Sequence, residues 1–155
     1  MKNCYYIAYG SNLSVEQMAI RCPNARPVGT ATLKDWQLLF KIHATIAPKK
    51  GHEVPVVVWE IEREDERKLD RYEGFPVYYH KRFLPVEMRS FATRRRRKIT
   101  AMVYIMNDVR PITPPMEGYY NAIDEGYERF HLDRNILRDA FNESVYIYAL
   151  ENRMI

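Results

Sequence analysis

Strand-forming sequence fills the middle of this chain and helix-forming sequence flanks it, with no regular alternation of the two. A doubly wound parallel sheet needs that alternation, because each parallel pair is joined by a crossover helix. The order here predicts an α+β fold instead, a curved or barrel-like antiparallel or mixed sheet with flanking helices. Asn3 to Tyr9 is apolar on both faces and reads as a central strand. Val28 to Leu33 and Trp36 to Ile46 read as strands joined by a turn at Lys34-Asp35. After a turn over Pro48 to Gly51, the β-branched stretch Val54 to Ile61 is another strand. Val77 to Met88 and Ile99 to Met106 are expected as two long antiparallel strands.

The helices announce themselves by their ends. Ser14 and Gln17 have the spacing of a capping box, and the short helix they start must stop before Pro23. Glu64 to Tyr72 is helical, with Gly74 suited to the position just past its end. Pro111 to Pro115 is a linker of restricted shape. Pro115 to Phe130 follows as a helix, with Gly126 inside it or at a break. Asp133 caps a last helix to about Phe141, and the tail Val145 to Leu150 is expected as a strand. No repeat and no dividing linker interrupts the 155 residues, which read as one domain, 1–155.

Composition removes several function classes. Hydrophobic residues at 46% and charged residues at 28% are ordinary for a globular protein. The most apolar run, Val54 to Trp59, contains a proline and is far too short to span a bilayer. The start, Lys2-Asn3-Cys4-Tyr5-Tyr6, has no apolar leader core. A cytoplasmic protein with no membrane partner is expected. Cys4 and Cys22 lack metal-ligand spacing and are expected as reduced thiols. His43, His52, His80 and His131 are scattered, so no metal site is expected. The formal charge is +4, but Arg94 to Lys98 alone supply five of the basic residues, leaving 19 basic against 20 acidic. Like charges in a row between two strands predict a mobile, solvated hairpin loop. Nucleic-acid binding calls for interleaved aromatics and a wider positive surface, so no nucleic-acid partner is expected.

Two stretches carry chemistry. In Tyr9-Gly10-Ser11-Asn12, Gly10 lets the backbone turn tightly and a ligand approach it. Successive amides there, ahead of a helix, form a concavity for an anion. The further glycines of a dinucleotide fingerprint and the Gly-Lys-Ser/Thr of a phosphate loop are missing, so a carboxylate or developing oxyanion is the better guest. A plain strand-to-helix turn accounts for the same residues. The second stretch is Leu69 to Tyr79. Glu73 falls in the last helical turn, at the negative end of the helix dipole, among Tyr72, Phe75, Val77 and Tyr79. Both effects disfavour its ionised form. At its usual value of about 4.3 it is too weak a base for an ammonium proton, and toward about 6–7 it becomes a useful one. A solvated helix-end glutamate is the other reading, and Asp70 is either surface or tied into the helix end. Twelve tyrosines against six phenylalanines is a skewed ratio. Most are packing residues. Tyr119, opening a helix after the proline linker, is a candidate for a pocket wall.

Tyr6-Ile7-Ala8-Tyr9-Gly10-Ser11-Asn12-Leu13 resembles the N-terminal signature of the gamma-glutamylcyclotransferase-like family, which includes an AIG2-like group. The likeness continues through Ala44-Thr45-Ile46, Gly51 and Val57-Val58-Trp59, then Leu69-Asp70 with Glu73-Gly74, then Pro114-Pro115 with Tyr119 and Gly126. It implies a small mixed or antiparallel β-barrel with flanking helices. It also implies a small-molecule γ-glutamyl substrate, whose α-amine attacks its own γ-carbonyl to give 5-oxoproline and a released amine. By the same resemblance Glu73 is the general acid/base. Tyr6, Ile7, Ala8, Tyr9, Gly10, Ser11, Asn12 and Tyr119 surround the substrate, and the amides around Gly10 and Ser11 hold its carboxylate or the oxyanion. No metal, nucleotide or other cofactor is implied. Phe75 to Tyr79 is closer to the AIG2-like, γ-glutamylamine-type pattern than to the animal-type enzyme, and glutathione is not the expected substrate. The alternative is a non-catalytic small-molecule-binding module using the same pocket.

Overall fold

The structure is a computed structural model and describes residues 4–107 and 110–153. Asn3, the expected first residue of the opening strand, lies outside them. Five strands, β1 (Cys4–Ala8), β2 (Arg26–Lys41), β3 (His43–Ile61), β4 (Tyr79–Ser90) and β5 (Arg96–Met106), close into a barrel in the order β1-β3-β2-β4-β5. β1 runs antiparallel to β3, with Cys4 opposite Ile61, and parallel to β5, with Tyr5 opposite Ala101. The barrel is therefore mixed, and its short central strand has Tyr6, Ile7 and Ala8 all buried, as its two-sided apolar pattern requires. Among the described residues four α-helices flank the barrel: α1 (Val15–Arg21), α2 (Arg63–Glu73), α3 (Glu117–Arg129) and α4 (Arg134–Asn152).

The β2–β3 hairpin departs from expectation twice. Lys34-Asp35 and Pro48 to Gly51 are not turns between separate strands. They face each other as one wide bulge, Lys34 pairing Glu53 and Trp36 pairing Pro48. Asp35 (φ 65°) and Gly51 (φ 86°) both adopt left-handed backbone, and the Gly51 amide donates to Asp35 Oδ1 at 2.9 Å. Turn-type residues here serve a bulge, which demands the same backbone angles. The true reversal falls at Ile42 (φ 70°), between the paired Lys41 and His43. A β-branched residue gives no turn signal. The segment ahead of α3 imposes the turn: the Ile42 amide donates to the Thr113 carbonyl at 2.9 Å and the Thr113 amide to the Phe40 carbonyl at 3.0 Å.

The arginine run is not a mobile loop either. Arg96, Arg97 and Lys98 belong to β5, opposite Arg89, Met88 and Glu87. Arg96 pairs with Glu87, and Arg97 donates to the Tyr5 hydroxyl. Ser90 to Arg95 form the tight connection, closed by the Ser90 amide on the Arg95 carbonyl at 2.9 Å. The tail is helical rather than a strand, because α4 continues through Val145 to Leu150. Leu137, Ala140 and Ser144 form the buried stripe of that helix at helical spacing. Gly126 sits inside α3 and marks no break. A Cβ there would lie 2.5 Å from Leu13 Cβ and 3.0 Å from the Leu13 carbonyl oxygen, so its small size lets α3 lie against the chain that follows β1. Neither Cys4 nor Cys22 is in a disulfide. Among the described residues no helix is long and apolar enough to cross a membrane.

Candidate active site

β1 delivers the chain to the site and Tyr9 fixes the exit, its hydroxyl donating to the Tyr104 carbonyl at 2.6 Å. Ser11–Leu13 then form one 3-10 turn, in which the Leu13 amide bonds the Gly10 carbonyl at 2.9 Å. The Ser11 and Asn12 amides come before that first bond and so lack an acceptor within the turn. A Cβ on Gly10 would meet Ala44 Cβ at 3.2 Å and the Tyr119 hydroxyl at 3.4 Å. Glycine is what lets the loop press against β3 and α3. Ser14 caps α1 by accepting from the Gln17 amide at 3.2 Å, as its spacing predicts.

α2 brings the carboxylate. Glu62 and Asp65 form its capping box, and Gly74 (φ 66°) ends it in left-handed backbone. Glu73 is consequently its last residue. Asp70 is tied in rather than free on the surface. Tyr104 donates to Asp70 Oδ1 at 2.5 Å, and the Lys81 ammonium bridges Glu66 at 2.6 Å and Asp70 at 2.9 Å. These contacts run from β4 and β5 to the helix that carries Glu73.

Loop and helix end meet across a cavity of about 250 Å³. A cavity of that volume has room for a small molecule rather than for a water or two. Glu73, Tyr6, Ile7, Tyr9, Gly10, Ser11, Asn12 and Tyr119 all line it. Ala8 does not; it is buried in the barrel. His43, Ala44, Tyr72, Tyr79 and Tyr104 complete the wall. Sequence alone marks Tyr72 and Tyr79 as neighbours of Glu73 but not as wall residues. Tyr104 and Ala44 sit in strands whose pattern says only "buried", and His43 depends on the unsignalled turn at Ile42.

Burial pushes the Glu73 carboxyl up to about 7, with the Arg21 charge pulling the other way. Burial also holds the hydroxyls of Tyr6, Tyr9, Tyr79, Tyr104 and Tyr119 well above their ordinary range, so all five stay protonated at neutral pH. Two of them share one backbone unit. The Ala44 amide donates to the Tyr119 hydroxyl oxygen at 2.9 Å, and the Tyr79 hydroxyl donates to the Ala44 carbonyl at 3.0 Å. Tyr79 thereby spends its hydrogen, whereas Tyr119 keeps its own for another acceptor. The described residues bring together a carboxyl raised to about 7, a set of neutral hydroxyl donors and a small cavity.

A second cavity of about 290 Å³ adjoins the first through His43, Tyr72, Glu73 and Tyr79. Its outer wall adds Arg71, Arg110, Asn107, Val77, Tyr78 and Met106. Glu73 thus stands between an inner, tyrosine-rich space and an outer space that Arg71 and Arg110 help to line. Among the described residues no group of three or more His, Cys, Asp or Glu side chains is arranged to hold a metal ion.

Known proteins resemble this chain in sequence and in fold. The family described as gamma-glutamyl cyclotransferase, AIG2-like, matches residues 6–129. The gamma-glutamylcyclotransferase of Bos taurus is 32% identical over 133 residues, spanning 78% of this chain and 68% of that protein. Its Homo sapiens counterpart is 31% identical over the same shares. A solved structure of a gamma-glutamyl cyclotransferase superposes with a TM-score of 0.74 at 26% identity, covering 90% of this chain and 86% of that one. By sequence and by fold alike, the chain is an enzyme of the gamma-glutamyl cyclotransferase, AIG2-like family.

Proposed function

We propose that this protein converts a γ-glutamyl amide into 5-oxoproline and a free amine, with Glu73 as the proton carrier. One observation carries the reading: a carboxyl raised to about 7 by burial lines the same small cavity as the Gly10-Ser11 loop. Raising the carboxyl from 4.5 to about 7 lowers the cost of taking a proton from the substrate's α-ammonium by about 3 kcal/mol, at about 1.36 kcal/mol per pKa unit. The neutral amine nitrogen then attacks its own γ-carbonyl carbon. A new C–N bond closes a five-membered ring and the carbonyl oxygen takes negative charge. The Ser11 and Asn12 amides and the Tyr119 hydroxyl are the donors that suit this oxyanion or the substrate carboxylate. As the oxyanion collapses, the bond to the old amide nitrogen breaks and Glu73 returns its proton to that nitrogen; the second proton of the new ring nitrogen then passes through the same carboxylate to the released amine, which leaves as an ammonium beside neutral-amide 5-oxoproline. Attack is intramolecular, so holding the folded conformer in a tight cavity supplies much of the acceleration.

The outer cavity indicates what leaves. Arg71 and Arg110 repel a cationic amine and attract a carboxylate. The leaving portion is accordingly an amino acid or short peptide, whose side chain meets Val77, Tyr78 and Met106. The test is 5-oxoproline release from a panel of γ-glutamyl amides, comparing wild type with Glu73→Gln. Release from carboxylate-bearing amides by wild type alone is the expected result. Equal release by both proteins removes Glu73 as the base, and binding without release on every amide makes this a binding module.

A further inference from the structure

Arg21 closes α1 and lines neither cavity. Its contacts nevertheless lead to the site from two directions. Its Nη1 donates to Asn12 Oδ1 at 2.6 Å, and Asn12 Nδ2 donates to the Tyr6 hydroxyl at 2.9 Å. Its guanidinium carbon also stands 3.6 Å from the centroid of the Tyr72 ring, while the Tyr72 hydroxyl lies 3.1 Å from Ser11 Oγ. One side chain therefore joins the Tyr9–Asn12 loop to the last turn of α2. A planar guanidinium can donate in its plane and stack on its face at once, which an ammonium cannot. Tyr72 is 45% exposed, so burial alone does not fix its ring; the stack and the Ser11 contact do.

The charge of Arg21 has a target as well. The titratable side chains that line the inner cavity with Glu73 are Tyr6 from β1, Tyr9 just after it, His43 from β3, Tyr79 from β4, Tyr104 from β5, Tyr119 from α3 and Tyr72 on its own helix. Burial keeps the Tyr6, Tyr9, Tyr79, Tyr104 and Tyr119 hydroxyls protonated, and burial with the nearby Arg110 charge lowers His43 below its ordinary range, leaving it neutral too. Arg71 and Arg110 lie toward the outer cavity. Arg21 is the cation whose field opposes the effect of burial on Glu73.

We propose that Arg21 is a positioning residue for the cyclisation, aligning the Tyr9–Asn12 loop with Tyr72 over the γ-glutamyl group and holding its positive charge on the ring of Tyr72, the residue that precedes Glu73. This rests on the reading of Glu73 as the base. Arg21→Gln keeps a donor for Asn12 and removes the charge. Arg21→Lys keeps the charge and removes the fork and the flat stack. The pH profile of kcat/KM is measured for both on a γ-glutamyl amino acid, together with the Glu73 titration by carbon-detected NMR without substrate. In Arg21→Gln the acid limb and the Glu73 midpoint both move to higher pH, by about one pH unit. In Arg21→Lys both stay near their wild-type positions, while KM rises several-fold because Tyr72 is no longer held. A role in structure alone would move neither midpoint. An active wild type whose midpoint and KM are unchanged in both variants overturns the proposal for Arg21. A wild type inactive on every amide overturns the cyclotransferase reading and the role of Arg21 with it.

Discussion

The Tyr104 hydroxyl donates to Asp70 Oδ1 at 2.5 Å, from β5 of the barrel to a residue one helical turn before Glu73. The same carboxylate pairs with Lys81, and Lys81 reaches Glu66 one turn earlier still. α2 is thus pinned along one edge, and the position of its last residue follows. Hydrogen bonds to charged groups contribute about 1.5–3 kcal/mol. A double-mutant cycle of Tyr104→Phe with Asp70→Ala, read by urea unfolding, is expected to give a coupling of about 1–2 kcal/mol. A coupling of zero would remove this anchor from the account of how Glu73 is placed.

The carboxyl of Glu73 sets two pH dependences of opposite use. Only its ionised form accepts the substrate proton, so kcat/KM should rise with pH and level off above about 7. Glu73→Gln should lower kcat by about 10²–10⁴-fold. Stability runs the other way. The folded-state value near 7 lies above the unfolded value near 4.5, so the native state binds more protons between those limits. Wild type is therefore expected to lose about 3 kcal/mol as pH rises through this window, at about 1.36 kcal/mol per pH unit. Glu73→Gln has no such loss. Urea midpoints at pH 4.5 and 8 for both proteins check it, and a wild type that is not weakened relative to Glu73→Gln at pH 8 would refute the buried-acid assignment.

Sequence made Glu73 and the Gly10 loop legible because each depends on local chemistry. A carboxylate before a helix-ending glycine, among aromatics, needs no tertiary information to look out of place. Residue patterns alone read as a curved or barrel-like sheet, and the family resemblance supplied the small mixed or antiparallel barrel, since closure depends on β1 lying parallel to β5, a pairing between residues far apart in the chain. His43 and Ala44 were not legible as site residues, because the reversal that exposes them falls at Ile42 and is imposed by Thr113. Asp70 was read as either surface or tied into the helix end, but its bond to Tyr104 was hidden for a different reason. A tyrosine in a buried strand and an aspartate on a helix surface show nothing of a hydrogen bond that only packing creates. The α4 tail misled because Val145 to Leu150 is rich in residues that favour strands, while all five strands already close the barrel without it.

Arg71 and Arg110 should act on substrate choice more than on chemistry. Neither lines the inner cavity, and both line the outer one. The Arg110 guanidinium also stands 5.6 Å from the Tyr78 ring centroid, which orients it. Replacing each with Ala is expected to lower kcat/KM about 5–10-fold for a γ-glutamyl amino acid, a loss of about 1–1.4 kcal/mol. The same amide with its carboxylate capped should be turned over equally well by wild type and variants. An equal loss on both substrates would mean that the arginines support the fold and do not read the leaving group.

Two glycines of α3 should respond in opposite directions to the same substitution. A Cβ on Gly118 would meet nothing within 4 Å, so Gly118→Ala gains helix propensity without cost and should stabilise by up to about 1 kcal/mol. At Gly126 the methyl would lie 2.5 Å from Leu13 Cβ and 3.0 Å from the Leu13 carbonyl oxygen. Leu13 is fully buried, and its amide closes the turn on Gly10. Relief therefore has to come from moving α3 or the turn, at about 1–3 kcal/mol, which outweighs the propensity gain. Moving the turn also shifts Gly10 and Ser11, so Gly126→Ala should raise KM as well as lower the urea midpoint, while Gly118→Ala leaves KM unchanged. If Gly126→Ala proves neutral in both measurements, the contact between α3 and Leu13 does not hold the loop in place.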